Sequence, residues 1–174
     1  MKWTSRENKL FFLLSKFNCV SLDNIRNYCV AANKSIGFKR LTALEKAGYI
    51  EKITVIEKDL KETESYVLGK RGIKEVKDRY SNYYKSNSTV HDLKHSNFVF
   101  NKFKKEDIQY YRHEKELPTP ARGGGASRAD GAFVYPSGDM ILVETYTRNY
   151  TEERKDAKKA YADELGCDMY INYA

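Results

Sequence analysis

Apolar residues recur along the chain at spacings that change from helical to strand-like and back. Leu10, Phe11, Leu14 and Phe17 lie at helical spacing and predict an amphipathic helix over residues 4–17. Thr4 and Glu7 stand in the S/T-x-x-E relation of a capping box at its start. Ser21 is placed to cap a short second helix with Leu22, Ile25 and Tyr28/Cys29 as its stripe. Ala31-Ala32-Asn33 predicts a turn, and Asn33 or Ser35 is expected to cap a third helix carrying Ile36/Gly37, Leu41 and Leu44 inward. That helix ends at Ala47-Gly48, where glycine supplies a left-handed cap. Residues 49–56 then alternate as a strand, 59–63 form a polar tip, and 65–68 return as a second strand. A turn at 69–72 and a helix through Ile73, Val76 and Tyr80 follow. The polar run 81–88 predicts a linker between a domain at 1–80 and one at 89–174, with Tyr83 and Tyr84 docking the linker or supporting dimerisation.

The second half has a different order. Residues 89–105 fit a helix, 108–112 a strand, and the Pro- and Gly-rich stretch 117–127 a loop. Residues 130–135 and 140–147 fit two strands joined by Pro136-Ser137-Gly138-Asp139. Residues 151–165 fit a charged helix with Ala157, Ala160, Tyr161 and Leu165 inward, stopped by Gly166, and 168–173 fit a last strand. The order is α-β-β-β-α-β, so the fold class is α+β.

Charge sharpens this division. The chain has 174 residues and a formal charge of +7. Residues 1–86 hold 18 basic and 10 acidic side chains, whereas 87–174 hold 13 and 14. The excess that would attract a polyanion lies in the first half. A 41% hydrophobic and 13% aromatic composition is enough for real cores. No apolar run reaches the roughly 18 residues of a membrane span. The N-terminus lacks the pattern of a signal peptide. Three cysteines at Cys19, Cys29 and Cys167 make no disulfide framework, and cytoplasmic location is expected.

Three short helices followed by a hairpin is the order of a winged helix-turn-helix. The phrase Leu41-x-x-Leu44-x-x-x-Gly48-Tyr49-Ile50 resembles the junction of recognition helix and wing. A helix fits the major groove, where outward side chains meet base edges and phosphates. The outward set is Lys34, Ser35, Phe38, Lys39 and Arg40, with Thr42 beside it and Lys58 and Lys61 at the wing tip. Lys39 and Arg40 suit phosphate or guanine; Phe38 suits the sugar backbone or a thymine methyl.

The second half resembles the core of the PD-(D/E)xK nuclease-like, or restriction-endonuclease-like, fold. That resemblance implies carboxylates holding a divalent metal and a lysine that activates water. Asp130 in Arg128-Ala129-Asp130-Gly131 matches the Asp, and Glu144 in Val143-Glu144-Thr145-Tyr146 matches the Glu. Tyr146 stands at the lysine position and cannot supply an ammonium; Arg148, Lys155 or Lys94 would have to substitute. The stretch His91-Asp92-Leu93-Lys94-His95 resembles the His-Asp-Leu-x-His helix of the replication-relaxation family, which pairs a winged helix with this module on plasmids and conjugative elements. Residues 111–117 and Ser127-Arg128-Ala129-Asp130-Gly131-Ala132 resemble two further stretches of that family.

His91 and His95 share one helical face and could chelate a metal. The likeness to His-Glu-x-x-His of zinc proteases fails, because Asp92 is a carbon too short and no third ligand follows. Polar structural roles are expected for the pair; in an active site, His95 and Glu114 would join Asp130 and Glu144. The run Gly123-Gly124-Gly125 lacks the Lys-Ser/Thr of a phosphate loop and suits a mobile loop, with Arg122 and Arg128 offering phosphate contacts.

The expectation is therefore a sequence-specific double-stranded DNA-binding protein of plasmid or conjugative-element replication, transfer or transcriptional control. Its nuclease-like module is expected to be degenerate and without cofactor, serving a homodimer or a relaxase or replication partner. The alternatives are an endonuclease or nickase holding Mg²⁺ or Mn²⁺ at Asp130 and Glu144, and a protein-interaction adaptor.

Overall fold

The computed structural model describes residues 3–56, 61–79, 83–121 and 128–174. It is a mixed α+β protein whose chain divides into two units, Met1–Asn97 and Phe98–Ala174. The division falls within a helix rather than at the polar run 81–88. Its physical reason lies in what the first half of that helix packs against.

The first unit starts with α1 (Ser5–Phe17), whose Glu7 carboxylate reaches back to the Thr4 N–H at 2.6 Å, as the capping pattern predicts. Its apolar stripe, Leu10, Phe11, Leu14 and Phe17, is fully buried. β1 (Val20–Ser21) leads into α2 (Leu22–Tyr28), where the Ser21 hydroxyl accepts from the Asn24 N–H. Ala32 and Asn33, both at positive φ, turn β2 (Val30–Ala31) back onto β3 (Lys34–Ser35). This corrects the expected cap of the third helix. Neither Asn33 nor Ser35 provides it; Gly37 does, and α3 spans Phe38–Lys46. The polar pair Lys34-Ser35 closes a small hairpin instead, so Ile36 is buried ahead of the helix. Leu41 and Leu44 point inward as expected.

Gly48, at φ 76°, ends α3 and starts β4 (Ile50–Ile56), which pairs antiparallel with β5 (Glu62–Leu68). β5 is longer than the alternation predicts, because Glu62, Thr63 and Glu64 pair with Ile56, Val55 and Thr54. β1 adds to the other edge of β5 to give the order β1-β5-β4. α4 (Lys70–Arg79) takes in most of the expected turn at 69–72.

α5 (Thr89–Lys102) carries the His-Asp-Leu-x-His stretch. Leu93 packs with Cys19 and Val55, and Asp92 accepts from the Asn18 side-chain amide at 2.7 Å. The Ser96 hydroxyl donates to the Cys19 carbonyl at 2.9 Å, and Asn24 bonds Asn97 at 2.8 Å. Tyr84 joins the same region, its N–H donating to the Ser15 carbonyl. These contacts assign residues 83–97 to the first unit.

The second unit is built on a four-stranded sheet of order β6-β7-β8-β9: β6 (Tyr111–His113), β7 (Gly131–Val134), β8 (Met140–Tyr146) and β9 (Asp168–Tyr173). A 3-10 turn at Asp107–Tyr110 takes the start of the strand predicted at 108–112. β7 and β8 form a hairpin closed by Gly138 at φ 93°. β9 runs parallel to β8 after the crossover α6 (Glu152–Leu165), capped by Thr151 and stopped by Gly166 at φ 62°. One sheet face meets α6 through Ala132, Leu142, Tyr161 and Ala162. The inward face of α6 differs from the expected one. Ala160 is exposed, and Lys158 with Ala162 takes its place inside. The other sheet face stacks Phe103 on Phe133 at 4.1 Å, with Tyr111 edge-on.

Candidate nucleic-acid interface and carboxylate cluster

The amphipathic pattern of α3 fixes what it exposes. With Leu41 and Leu44 buried, the helical period turns Lys39, Ala43 and Lys46 outward, and all three are exposed. Phe38 opens the helix at 53% exposure, an unusual position for a large aromatic ring. Lys34 and Ser35 are exposed on β3 immediately before it. Lys34, Ser35, Phe38 and Lys39 are thus all exposed as expected, although Lys34 and Ser35 lie on a strand rather than on the helix. Lys46 was not among them; its spacing of two turns from Lys39 is the signal that identifies it.

Arg40 behaves differently. Its Nε is bonded to Glu7, a 1%-exposed carboxylate on the first turn of α1. The sequence placed Arg40 free on the surface; it is anchored at one end. Lys61 is exposed at the start of the returning strand region. Lys58 lies outside the described residues, as do Arg122 and residues 123–125. No described helix is long and apolar enough to cross a membrane.

In the second unit the β7–β8 hairpin brings Asp130 and Glu144 together, as the pattern predicts. Glu144 is 0% exposed. Its Oε2 accepts from the Asp130 N–H at 2.9 Å and its Oε1 from the Tyr150 hydroxyl at 2.8 Å. Asp130 Oδ2 accepts from the Thr145 N–H at 2.9 Å. The Lys158 Nζ lies 3.2 Å from Glu144 Oε1 and also donates to the Arg128 carbonyl. Burial and the nearby Asp130 charge push the Glu144 carboxyl up to about 7, against the opposing pull of Lys158 and Tyr150. Glu114 is raised as well, by burial and by Asp130, and its N–H donates to the Asp130 carbonyl.

The ammonium that Tyr146 cannot supply is therefore present, but from α6. None of the expected substitutes fills this place. Arg148 is exposed, Lys155 pairs with Glu152 at 2.6 Å, and Lys94 belongs to the first unit. His95 also belongs to the first unit, where it is buried beside Phe17 with its ring parallel to that of His91.

The oxygens of the cluster are engaged by the protein itself. Glu144 Oε2 accepts from the Asp130 amide, Oε1 accepts from Tyr150 and faces the Lys158 ammonium, and Asp130 Oδ2 accepts from a backbone amide, so each of these oxygens already has a protein partner. Among the described residues, no group of three His, Cys, Asp or Glu side chains converges to hold a metal ion. What the arrangement does chemically is neutralise a buried carboxylate and tie β7, β8 and α6 together.

No family model matches this chain, and neither a curated protein nor a solved structure is significantly similar to it.

Proposed function

We propose that the protein binds double-stranded DNA sequence-specifically through its first unit, read as a winged helix-turn-helix with α3 as recognition helix and the β4–β5 hairpin as wing. One observation carries the reading. α3 exposes Phe38, Lys39 and Lys46, the strand just before it exposes Lys34 and Ser35, and the opposite side of the helix is locked into the core by Leu41 and Leu44. The lysines supply phosphate contacts, and Phe38 offers an apolar contact to a sugar or a thymine methyl. The unit carries 19 basic and 11 acidic residues, the excess needed to draw a polyanion.

The second unit is read as a nuclease-like module whose carboxylates serve structure, supporting a homodimer or a replication or transfer partner of a plasmid or conjugative element. The closed bonding of Glu144 supports that reading. Duplex binding is tested by titrating labelled random-sequence and selected duplexes between 50 and 200 mM salt. Affinity should fall steeply with salt, and an unchanged affinity would refute an electrostatic DNA interface. The scaffold reading is tested with supercoiled plasmid and Mg²⁺ or Mn²⁺. No nicking is expected; nicking abolished by Asp130→Ala would make the module an enzyme.

A further inference from the structure

We infer that Glu7 is a positioning residue that fixes Arg40 for end-on recognition of a guanine in the major groove. This rests on the DNA-binding reading above. Glu7 is held on two sides: its Oε2 accepts from the Thr4 N–H at 2.6 Å, and its Oε1 takes the Arg40 Nε–H. Burial alone would push the Glu7 carboxyl up, but the Thr4 amide and the Arg40 guanidinium together hold it below its ordinary value. It is therefore a fixed anion at neutral pH, set in the first turn of a helix whose stripe forms the core.

The anchoring has a geometric consequence for Arg40. Its side chain remains 42% exposed, and with Nε committed, the two Nη groups are the edge it offers to solvent. No described residue is bonded to that edge. Two parallel N–H donors on a rigid fork match guanine O6 and N7, whereas a phosphate needs no such alignment and is served by the mobile lysines beside it. Fixing the guanidinium before binding also removes rotamer entropy that a free arginine would lose on contact. A second brace acts nearby: Arg6 Nη1 donates to the Ser35 carbonyl at 3.1 Å, so two adjacent residues of α1 steady the approach to α3. Asp in place of Glu7 would be a carbon too short to reach both partners, and Lys in place of Arg40 would keep the charge but lose the fork.

The test uses the full chain and a duplex recovered by selection, with each base pair replaced in turn. Wild type, Arg40→Lys, Glu7→Gln and the double variant are compared, with melting curves to confirm folding. Gln turns one of the two acceptors of Glu7 into a donor, so it must release Thr4 or Arg40. Arg40→Lys is expected to lose about 5- to 150-fold discrimination at one G·C position and little elsewhere. Glu7→Gln should lose part of the discrimination at that same position, and nothing further in the Arg40→Lys background. Arg40→Lys that keeps its base preference, or a Glu7→Gln effect that persists in that background, would overturn the inference while leaving DNA binding intact. Should Glu7→Gln melt early, Arg40→Lys alone decides, since it leaves Glu7 with a cation. A wild-type chain with no sequence preference would overturn the DNA-binding reading and this inference together.

Discussion

Removing the Lys158 ammonium should reshape how the second unit responds to pH. In the wild type, Glu144 titrates near 7 when folded and near its ordinary 4.5 when unfolded. Below 4.5 the carboxyl is protonated in both states and costs nothing. As pH rises, the unfolded chain ionises first, so stability falls until Glu144 itself ionises near 7. A gap of that size corresponds to about 3 kcal/mol of stability lost across this window, roughly a 300-fold change in the opening equilibrium. Glu114, also raised, adds a smaller effect of the same sign. Lys158→Met leaves a 0%-exposed carboxylate without its ammonium. Glu144 then titrates higher still, and the loss continues above pH 7. At pH 8 the variant should be about 3–5 kcal/mol less stable than wild type, and the deficit should shrink towards pH 5. Glu144→Gln should remove most of the pH dependence, and the Glu144→Gln/Lys158→Met pair should recover much of the stability lost by Lys158→Met. Hydrogen exchange of the β7 and β8 amides between pH 5 and 8, corrected for intrinsic rates, reads this unit directly. A Lys158→Met variant as protected as wild type at pH 8, or a Glu144→Gln variant with the wild-type pH profile, would refute the claim that Lys158 neutralises a buried Glu144.

Other outcomes follow from the same residues. Lys39→Ala plus Lys46→Ala should weaken binding to all duplexes alike and flatten the slope of log affinity against log salt by about two, read from titrations at several salt concentrations; an unchanged slope would take these lysines off the DNA. Phe38→Ala should leave the melting temperature within about a degree or two, because the ring is exposed, yet lower specific affinity; a large loss of stability would make the ring structural. Leu41→Ala, by contrast, opens a cavity in the first-unit core and should cost about 2–5 kcal/mol in denaturant unfolding.

The sequence carried the local structure well where one strong signal acted alone. The stripe of α1, the glycine stops at Gly48 and Gly166 and the β7–β8 hairpin follow from spacing and backbone chemistry. It carried less where two signals competed. Ser35 looks like a helix cap because its hydroxyl is suited to one, but Lys34-Ser35 pair with Val30-Ala31 across a tight turn and move the cap to Gly37. Lys158 is absent from the inward set that the apolar spacing of α6 predicts, because periodicity picks out only apolar residues; the buried Glu144 opposite shows why a lysine belongs on that inner face. The His-Asp-Leu-x-His stretch lies on a helix as expected, yet the partners of Asp92 and Ser96 are Asn18 and Cys19, separated from them by more than seventy residues. Such long-range pairings leave no trace in local spacing. Asp130 and Glu144 were legible as neighbours, and the donors that close around Glu144, Tyr150 and Lys158, were not.

The central claim is that the surface around α3 reads duplex DNA. Selection of bound sequences from a random duplex library by the full chain, at near-physiological salt, tests it most directly. One enriched motif with at least one invariant G·C pair, lost on Arg40→Lys, is predicted. Retention of no duplex, or retention without any enriched motif, would contradict it.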